Sequence, residues 1–185
     1  PSIGHEFRVL DRETGEPIEE PGEIGELAMR YEDDPAAFME YLGKPEQTNE
    51  TKVDGWVHTS DLVSFDEDGY YRFHSRDDDL IVSSGYRIAP REIEEALDVH
   101  ESVQNVGVIG VPHDTRGEVP KAFVVLQDGY EPSGDLKEAL QSHVKERLAK
   151  YEYPREREFV DDLPQTTTGK IRRTSLRERE GIDGE

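Results

Sequence analysis

The stretch SRDDDLIVSSGYRIAPREIEEAL, residues 75–97, divides the chain into two parts of different character. Asp77, Asp78 and Asp79 form a charge run, and directly after it Leu80-Ile81-Val82 and Tyr86-Arg87-Ile88 bracket Ser83-Ser84-Gly85. Two short β-rich triplets around a Ser/Gly turn read as a hairpin, with Gly85 in the tight turn. Pro90 suits a first helical position, where its missing N–H costs no hydrogen bond, and Ile93, Ala96 and Leu97 repeat at i, i+3, i+4 as an apolar helical stripe.

Downstream, "VQNVGVIGV" and "KAFVVL" are short apolar runs rich in β-branched residues, hence strands buried on at least one face, with a turn over Pro112-His113-Asp114 and Arg116-Gly117. Asp135 with Glu138 resembles a capping box, and Leu136, Leu140, Val144 and Leu148 line one face of a helix running to about Lys150. Phe159-Val160 begins a last short strand, and Thr174 to Glu180 form a terminal helix. Upstream, Glu6 to Leu10 and Gly25 to Arg30 alternate like antiparallel strands, and residues 31–53 form a polar excursion with one short helix near Ala36 to Leu42. Asp66-Glu67-Asp68-Gly69 is a hairpin turn between "HTSDLVSF" and "YYRFHSR". No upstream helix is long enough to cover these strands. The expected fold is therefore α+β: a short β-hairpin and a three-stranded sheet flanked by helices in residues 78–185, preceded by an incomplete antiparallel β piece in residues 1–77.

Composition excludes several functions. Among 185 residues, 43 Asp and Glu stand against 22 Lys and Arg, a formal net charge of -21, which disfavours nucleic-acid and anionic-membrane partners. The acid excess is uneven, since residues 1–78 hold 7 basic against 21 acidic residues and residues 79–185 hold 15 against 22. No apolar run of about 18 residues and no signal-like start occurs, so a soluble, cytoplasmic protein is expected. There is no cysteine, hence no disulfide framework, thiol nucleophile or Cys-based zinc site, and the six histidines lack ligand spacing, so no metal site is expected from protein ligands. Scattered acids and a preponderance of Arg over Lys fit a halophilic source, in which concentrated salt screens carboxylate repulsion.

The strongest candidate for chemistry is LPQTTTGKIRR, residues 163–173. Three threonines ending in glycine disfavour regular structure, which places Lys170 on a mobile, exposed loop, with Gly169 permitting close approach to a ligand. Lys170, Arg172, Arg173, Arg177 and Arg179 face the single acid Glu178 in residues 169–179, a local positive island. Such an island suits phosphate or carboxylate anions, and a compact ammonium can follow charge developing in a transition state. Spacing alone equally allows a solvated helix whose arginines balance nearby acids. A phosphate loop of the Walker type is excluded, since its first glycine is missing and Ile171 follows the lysine. Arg76 and Arg87 lie near turns where a guanidinium fork could meet phosphate, and Asp61 follows a strand in "DGWVHTSDL", where it could accept hydrogen bonds from sugar hydroxyls.

Taken in order, "GWVHTSD", the Gly69 hairpin, "SRDDDLIVSSGYRIAPREIEE" and "LPQTTTGKIRR" resemble the C-terminal part of the AMP-forming acyl-CoA synthetases, the adenylate-forming superfamily. "YLGKPEQT" and "YEYPREREFVDD" look most like the medium-chain and acetyl-CoA synthetase branch. The resemblance implies a ligase that joins a small-molecule carboxylic acid to CoA through an acyl-adenylate, using ATP with Mg2+. It implies that Lys170 is the adenylation lysine, that Asp61 and Arg76 bind ATP or AMP, and that Asp78 is the hinge between two poses. Ser84, Gly85, Tyr86 and Arg87 would lie along the path of CoA.

Two departures from the family pattern stand out: Ser60 occupies a usual glycine position, and Val82 stands where many members carry a second lysine. The ATP phosphate loop, the adenine- and Mg2+-holding segment and the acyl pocket have no counterpart in these 185 residues. The chain is thus expected to need an N-terminal domain as partner and to be inactive alone. The alternative is a standalone or split-protein binding module that retains the fold without catalysis.

Overall fold

The computed structural model describes residues 4–32, 34 and 37–182. The chain forms two compact units, Pro1–Asp78 and Asp79–Glu185, so the division falls within the aspartate run.

The first unit is built on one antiparallel sheet. Its elements are β1 (Phe7–Leu10), β2 (Gly25–Arg30), α1 (Pro45–Thr51), β3 (Lys52–Val53), β4 (Trp56–Phe65) and β5 (Tyr71–Arg76). The order is β1-β2-β4-β3, and β5 also pairs with β4, so the ten-residue β4 is its spine. Asp66 closes the β4–β5 turn by accepting from the amides of Asp68 and Tyr70, with Gly69 at φ 79°. The helix expected near Ala36 to Leu42 is displaced. Ala36 lies outside the described residues, residues 37–44 are not helical, and the helix starts at Pro45. Here Phe38 and Tyr41 pack ring to ring at 4.7 Å and the Lys52 ammonium donates to the Met39 carbonyl at 2.7 Å, contacts made by an open segment. Proline then takes the first helical position, as its missing N–H favours.

A 3-10 turn over Asp77–Asp79 spans the division, and the second unit then runs through β6 (Ile81–Ser83), β7 (Tyr86–Ile88), α2 (Pro90–Asp98), β8 (Val103–His113), β9 (Gly117–Leu126), α3 (Gly134–Lys145), β10 (Glu156–Phe159) and α4 (Arg173–Arg179). β8 and β9 are an antiparallel pair, β10 runs parallel to β9, and the β6–β7 hairpin joins this three-stranded core through the single pair Ser83↔Gly117. The apolar runs are buried on both faces, which is why they lack polar alternation. Val106, Val108, Ala122 and Val124 face α2 and α3, packing with Ile93, Leu97, Leu140 and Val144. Ile109, Val111, Val119 and Phe123 form a second cluster with Leu163 and Leu176 of α4.

Four local expectations change. The β8–β9 strands run through Pro112, His113 and Gly117, leaving only residues 114–116 in the turn, because Pro112 pairs with Glu118 on the ladder. Helix α3 is capped by Ser133, whose hydroxyl accepts from the Leu136 amide at 3.1 Å, instead of by Asp135. It ends at Lys145, and Leu148 packs from the turn beyond. The last strand ends at Phe159, since the Arg155 and Val160 amides bonding to Pro120 and Val124 frame residues 156–159 against β9.

Candidate functional site

The expected site residues fall into three local constellations, one in the first unit and two in the second. In the first unit β4 carries Asp61 opposite Arg76 of β5. The Arg76 guanidinium lies 3.4 Å from the Asp61 carboxylate and 2.9 Å from that of Asp78, so the two nucleotide candidates and the hinge candidate are neighbours. Ser60, just before Asp61, has φ 60°, a left-handed backbone that glycine adopts most easily. The serine therefore retains the shape for which a glycine is usual. In an acid-rich chain an arginine finds a carboxylate, and Arg76 has found two.

The second constellation is the β6–β7 turn. Ser84 at φ 50° and Gly85 at φ 83° give two successive left-handed residues, which hold the strands in a tight two-residue reversal. The turn is fixed from β8–β9: the Ser84 amide donates to the Arg116 carbonyl at 2.8 Å, the Arg116 guanidinium donates to the Ser84 hydroxyl at 3.2 Å, and Glu118 accepts from the Val82 amide at 3.0 Å. Tyr86 is stacked on Tyr151, with centroids 4.2 Å apart and planes 13° from parallel. Val82 and Arg87 face each other on the hairpin, and both are exposed.

The third constellation carries Lys170. Its loop is exposed, as expected, but it is a closed turn instead of an irregular segment. Gln165 and Ile171 bridge, the Thr166 amide donates to the Lys170 carbonyl at 2.7 Å, the Lys170 amide donates to the Thr166 hydroxyl at 3.1 Å, and Gly169 turns with φ 83°. Leu163 on one side is buried in the second core cluster and Ile171 packs against it on the other, which fastens both ends of the turn to the sheet. Gly107 of β8 makes room: a Cβ there would stand 3.2 Å from Ile171 and 3.1 Å from Leu176.

The positive island is resolved in favour of pairing. Arg173 donates to Asp79 at 2.9 Å, to Glu94 at 2.6 Å and to the Val108 carbonyl at 3.2 Å. Arg177 reaches Asp79 at 3.2 Å, and Arg179 pairs with Glu158. Burial by itself would lower the Arg173 pKa, but Glu94 and Asp79 outweigh it and raise it, so the guanidinium stays charged. The Lys170 ammonium, by contrast, makes no ion pair among the described residues. The pairing of Arg173 with Asp79 and Glu94 was not visible in the sequence, because Arg173 and Asp79 are 94 positions apart. Among the described residues no group of three His, Asp or Glu side chains could hold a metal ion.

Comparison with known proteins identifies a domain within the second unit. Residues 92–170 match the AMP-binding enzyme C-terminal domain. An uncharacterized acyl-CoA ligase of Bacillus subtilis, YtcI, is 45% identical over 181 residues, covering 97% of this chain and 34% of its own length. The ATP-bound RpMatB-BxBclM chimera B1 superposes with a TM-score of 0.89 at 40% identity, covering 97% of this chain and 35% of that one. The anthranilate CoA ligase AuaEII, solved with anthranoyl-AMP, does so with a TM-score of 0.83 at 37% identity, covering 96% and 33%. The chain thus spans about a third of the length of the relatives it matches. Residues 92–170 thus match the C-terminal domain of AMP-binding enzymes, and nearly the whole chain is similar to about a third of these ligases.

Proposed function

We propose that this chain acts as the C-terminal part of an ATP-dependent, AMP-forming acyl-CoA ligase, in concert with a large N-terminal domain. The observation that carries the reading is the Lys170 turn: an ammonium held out on a braced loop, while the arginines of α4 are spent on internal carboxylates. In the first half-reaction a substrate carboxylate oxygen attacks the α-phosphorus of ATP. The bond to the bridging oxygen breaks and pyrophosphate leaves with the electron pair. Lys170 would contact the carboxylate and the α-phosphate and stabilise the charge that builds on the phosphoryl oxygens as pyrophosphate leaves. Asp61 would accept hydrogen bonds from ribose hydroxyls, with Arg76 alongside to meet ribose or phosphate. In the second half-reaction the CoA thiol, losing its proton, attacks the acyl carbon and AMP leaves. The Ser84–Arg87 turn would border the thiol's path, and the aromatic face of Tyr86, already committed to Tyr151, would form a wall of it. Rotation at Asp78 would exchange the two poses, with ligands shifting the balance between them.

Mg2+ would accompany ATP, but no ligand for it is assigned in this chain and no step here is routed through it. The finer reading places the protein in the medium-chain and acetyl-CoA branch of a halophile's cytoplasm. It is supported by the "YLGKPEQT" and "YEYPREREFVDD" phrases, by the charge of -21, and by the lack of any described helix long and apolar enough to cross a membrane.

Carboxylate-dependent ATP–pyrophosphate exchange tests the reading, in molar KCl with Mg2+, on the 185 residues alone and joined to an upstream ATP-binding domain. Exchange only in the joined form, abolished in Lys170→Ala, is the expected result. Exchange by the 185 residues alone overturns the need for the partner domain. Silence from both favours a binding module.

A further inference from the structure

The backbone that presents Asp61 is irregular, and one side chain holds it. Glu26 pairs with Leu62, and Ala28 pairs with His58, so the single residue Leu27 of β2 lies opposite Thr59, Ser60 and Asp61 of β4. Such a bulge re-aims a side chain at the cost of ladder hydrogen bonds, and the amides it frees need other acceptors. Here the Ser60 amide donates to one Glu26 carboxylate oxygen at 2.8 Å, and the other oxygen lies 2.8 Å from His58 Nδ1. The Thr59 hydroxyl donates to the Leu27 carbonyl at 2.7 Å and accepts from the Asp61 amide at 3.1 Å. The Glu26 side chain is only 19% exposed, so it grips the bulge out of solvent. The need for a grip follows from Ser60 itself: left-handed backbone costs a residue with a Cβ roughly 1–2 kcal/mol, and φ there is 60°.

We infer that Glu26 is a positioning residue for Asp61: by bonding the Ser60 amide and His58 together it fixes the Thr59–Asp61 bulge, and so sets where the Asp61 carboxylate stands for a nucleotide ribose. The inference rests on the proposed nucleotide role of Asp61. Glu26 touches no substrate and acts only through the backbone that follows His58.

Two variants separate the elements. Glu26→Ala removes both acceptors, whereas Glu26→Gln keeps one amide oxygen for Ser60 N–H and an NH2 for His58. In the 185-residue chain, amide hydrogen exchange at Ser60 and Asp61 is expected to quicken about 10-fold or more in Glu26→Ala, the worth of one charge-assisted hydrogen bond. It is expected to stay near the original rate in Glu26→Gln, with amides of residues 103–126 unchanged in both as a control for folding. In the ligase joined to its ATP-binding domain, Glu26→Ala is expected to raise KM for ATP by about 10-fold with KM for the acid unchanged, and Glu26→Gln to restore it. Unchanged exchange at Ser60 in Glu26→Ala overturns the clamp. The comparison variant Asp61→Ala separates the remaining cases. If it raises KM for ATP and Glu26→Ala does not, the positioning role falls and the nucleotide role of Asp61 stands. If neither variant moves KM for ATP, the Asp61 reading itself falls, and this inference with it.

Discussion

Replacing Arg173 by alanine tests whether the second unit is held as one body around the Lys170 turn. The Arg173 guanidinium bonds to Asp79 at the unit's first residue, Glu94 of α2 and the Val108 carbonyl of β8, and its side chain is 22% exposed. Deleting one partner of a buried ion pair costs about 3–5 kcal/mol, because the other charge is left unpaired in a poorly solvated place. Two features moderate this: Asp79 retains Arg177, and Glu94 still accepts from the Val108 amide at 2.8 Å. The lower limit, about 3 kcal/mol, is therefore expected. For a unit of this size that corresponds to a fall in Tm of about 10–20 °C. Thermal unfolding by circular dichroism measures the fall, and hydrogen exchange locates it in residues 79–108 and 163–177. The paired variant Glu94→Gln keeps an acceptor for Val108 and should cost less. A loss below about 1 kcal/mol in Arg173→Ala, the range of an exposed ion pair, would refute the view that this network braces the unit.

Further tests address the turn, the histidines and the solvent. Gly107→Ala puts a methyl group 3.1–3.2 Å from Leu176 and Ile171. It is expected to destabilise by about 1–3 kcal/mol and to speed exchange across residues 165–171, and equal exchange there would show that β8 does not seat the turn. His143, whose Nε2 lies 2.9 Å from the Ala96 carbonyl, has its pKa lowered by burial and then by Arg147, so the unfolded chain takes up the proton more readily. Its contribution is present above about pH 6.5 and is lost as pH falls through the lower folded value, and urea midpoints from pH 7.5 to 5 should decline less steeply in His143→Asn. At about 1 M salt the Debye length is roughly 3 Å, so a chain of net charge -21 should lose stability on dialysis into dilute buffer, and indifference to salt removes the halophilic reading. In the joined ligase, Lys170→Ala should slow adenylation by about 100-fold or more and spare thioester formation from supplied acyl-adenylate, whereas Asp78→Pro should trap one pose and impair one half-reaction.

How much of this was legible in the sequence depended on the range of the interaction that fixes each part. Period-two runs, Pro90 at a helix start and Gly85 and Gly69 in turns are local, and they marked most of the strands, α2 and both hairpins, though not β3 or the bounds of β10. The exposure of Lys170 was read as well, but the closure of its turn was not, because Leu163 and Ile171 fasten it to a core assembled from other elements. Two local preferences competed at residues 133–135, and Ser133 took the cap because the helix starts two residues earlier than the Asp135 pattern implied. Pairings remote in sequence were not legible. Five cations in residues 169–179 allowed both an anion site and a helix whose arginines balance acids, and the acids that decide between them are remote in sequence. Asp79, Glu94 and Glu158 arrive from other elements and satisfy three of those cations.

That neutralisation sharpens the case for Lys170. An array of unpaired arginines would hold ATP, adenylate and product AMP alike, and uniform attraction does not speed the chemical step. With Arg173 and Arg177 turned inward and Arg179 paired with Glu158, the charge offered at the turn is that of Lys170 beside the exposed Arg172, and the Lys170 backbone is set by Leu163 and Ile171 on either side and by its hydrogen bonds to Thr166. In the proposed ligase a charge so placed would favour the moment at which negative charge grows on the α-phosphate. On the proposed reading Arg173 and Arg177 act as struts within the unit instead of ligand contacts, and the braced turn still presents an exposed lysine.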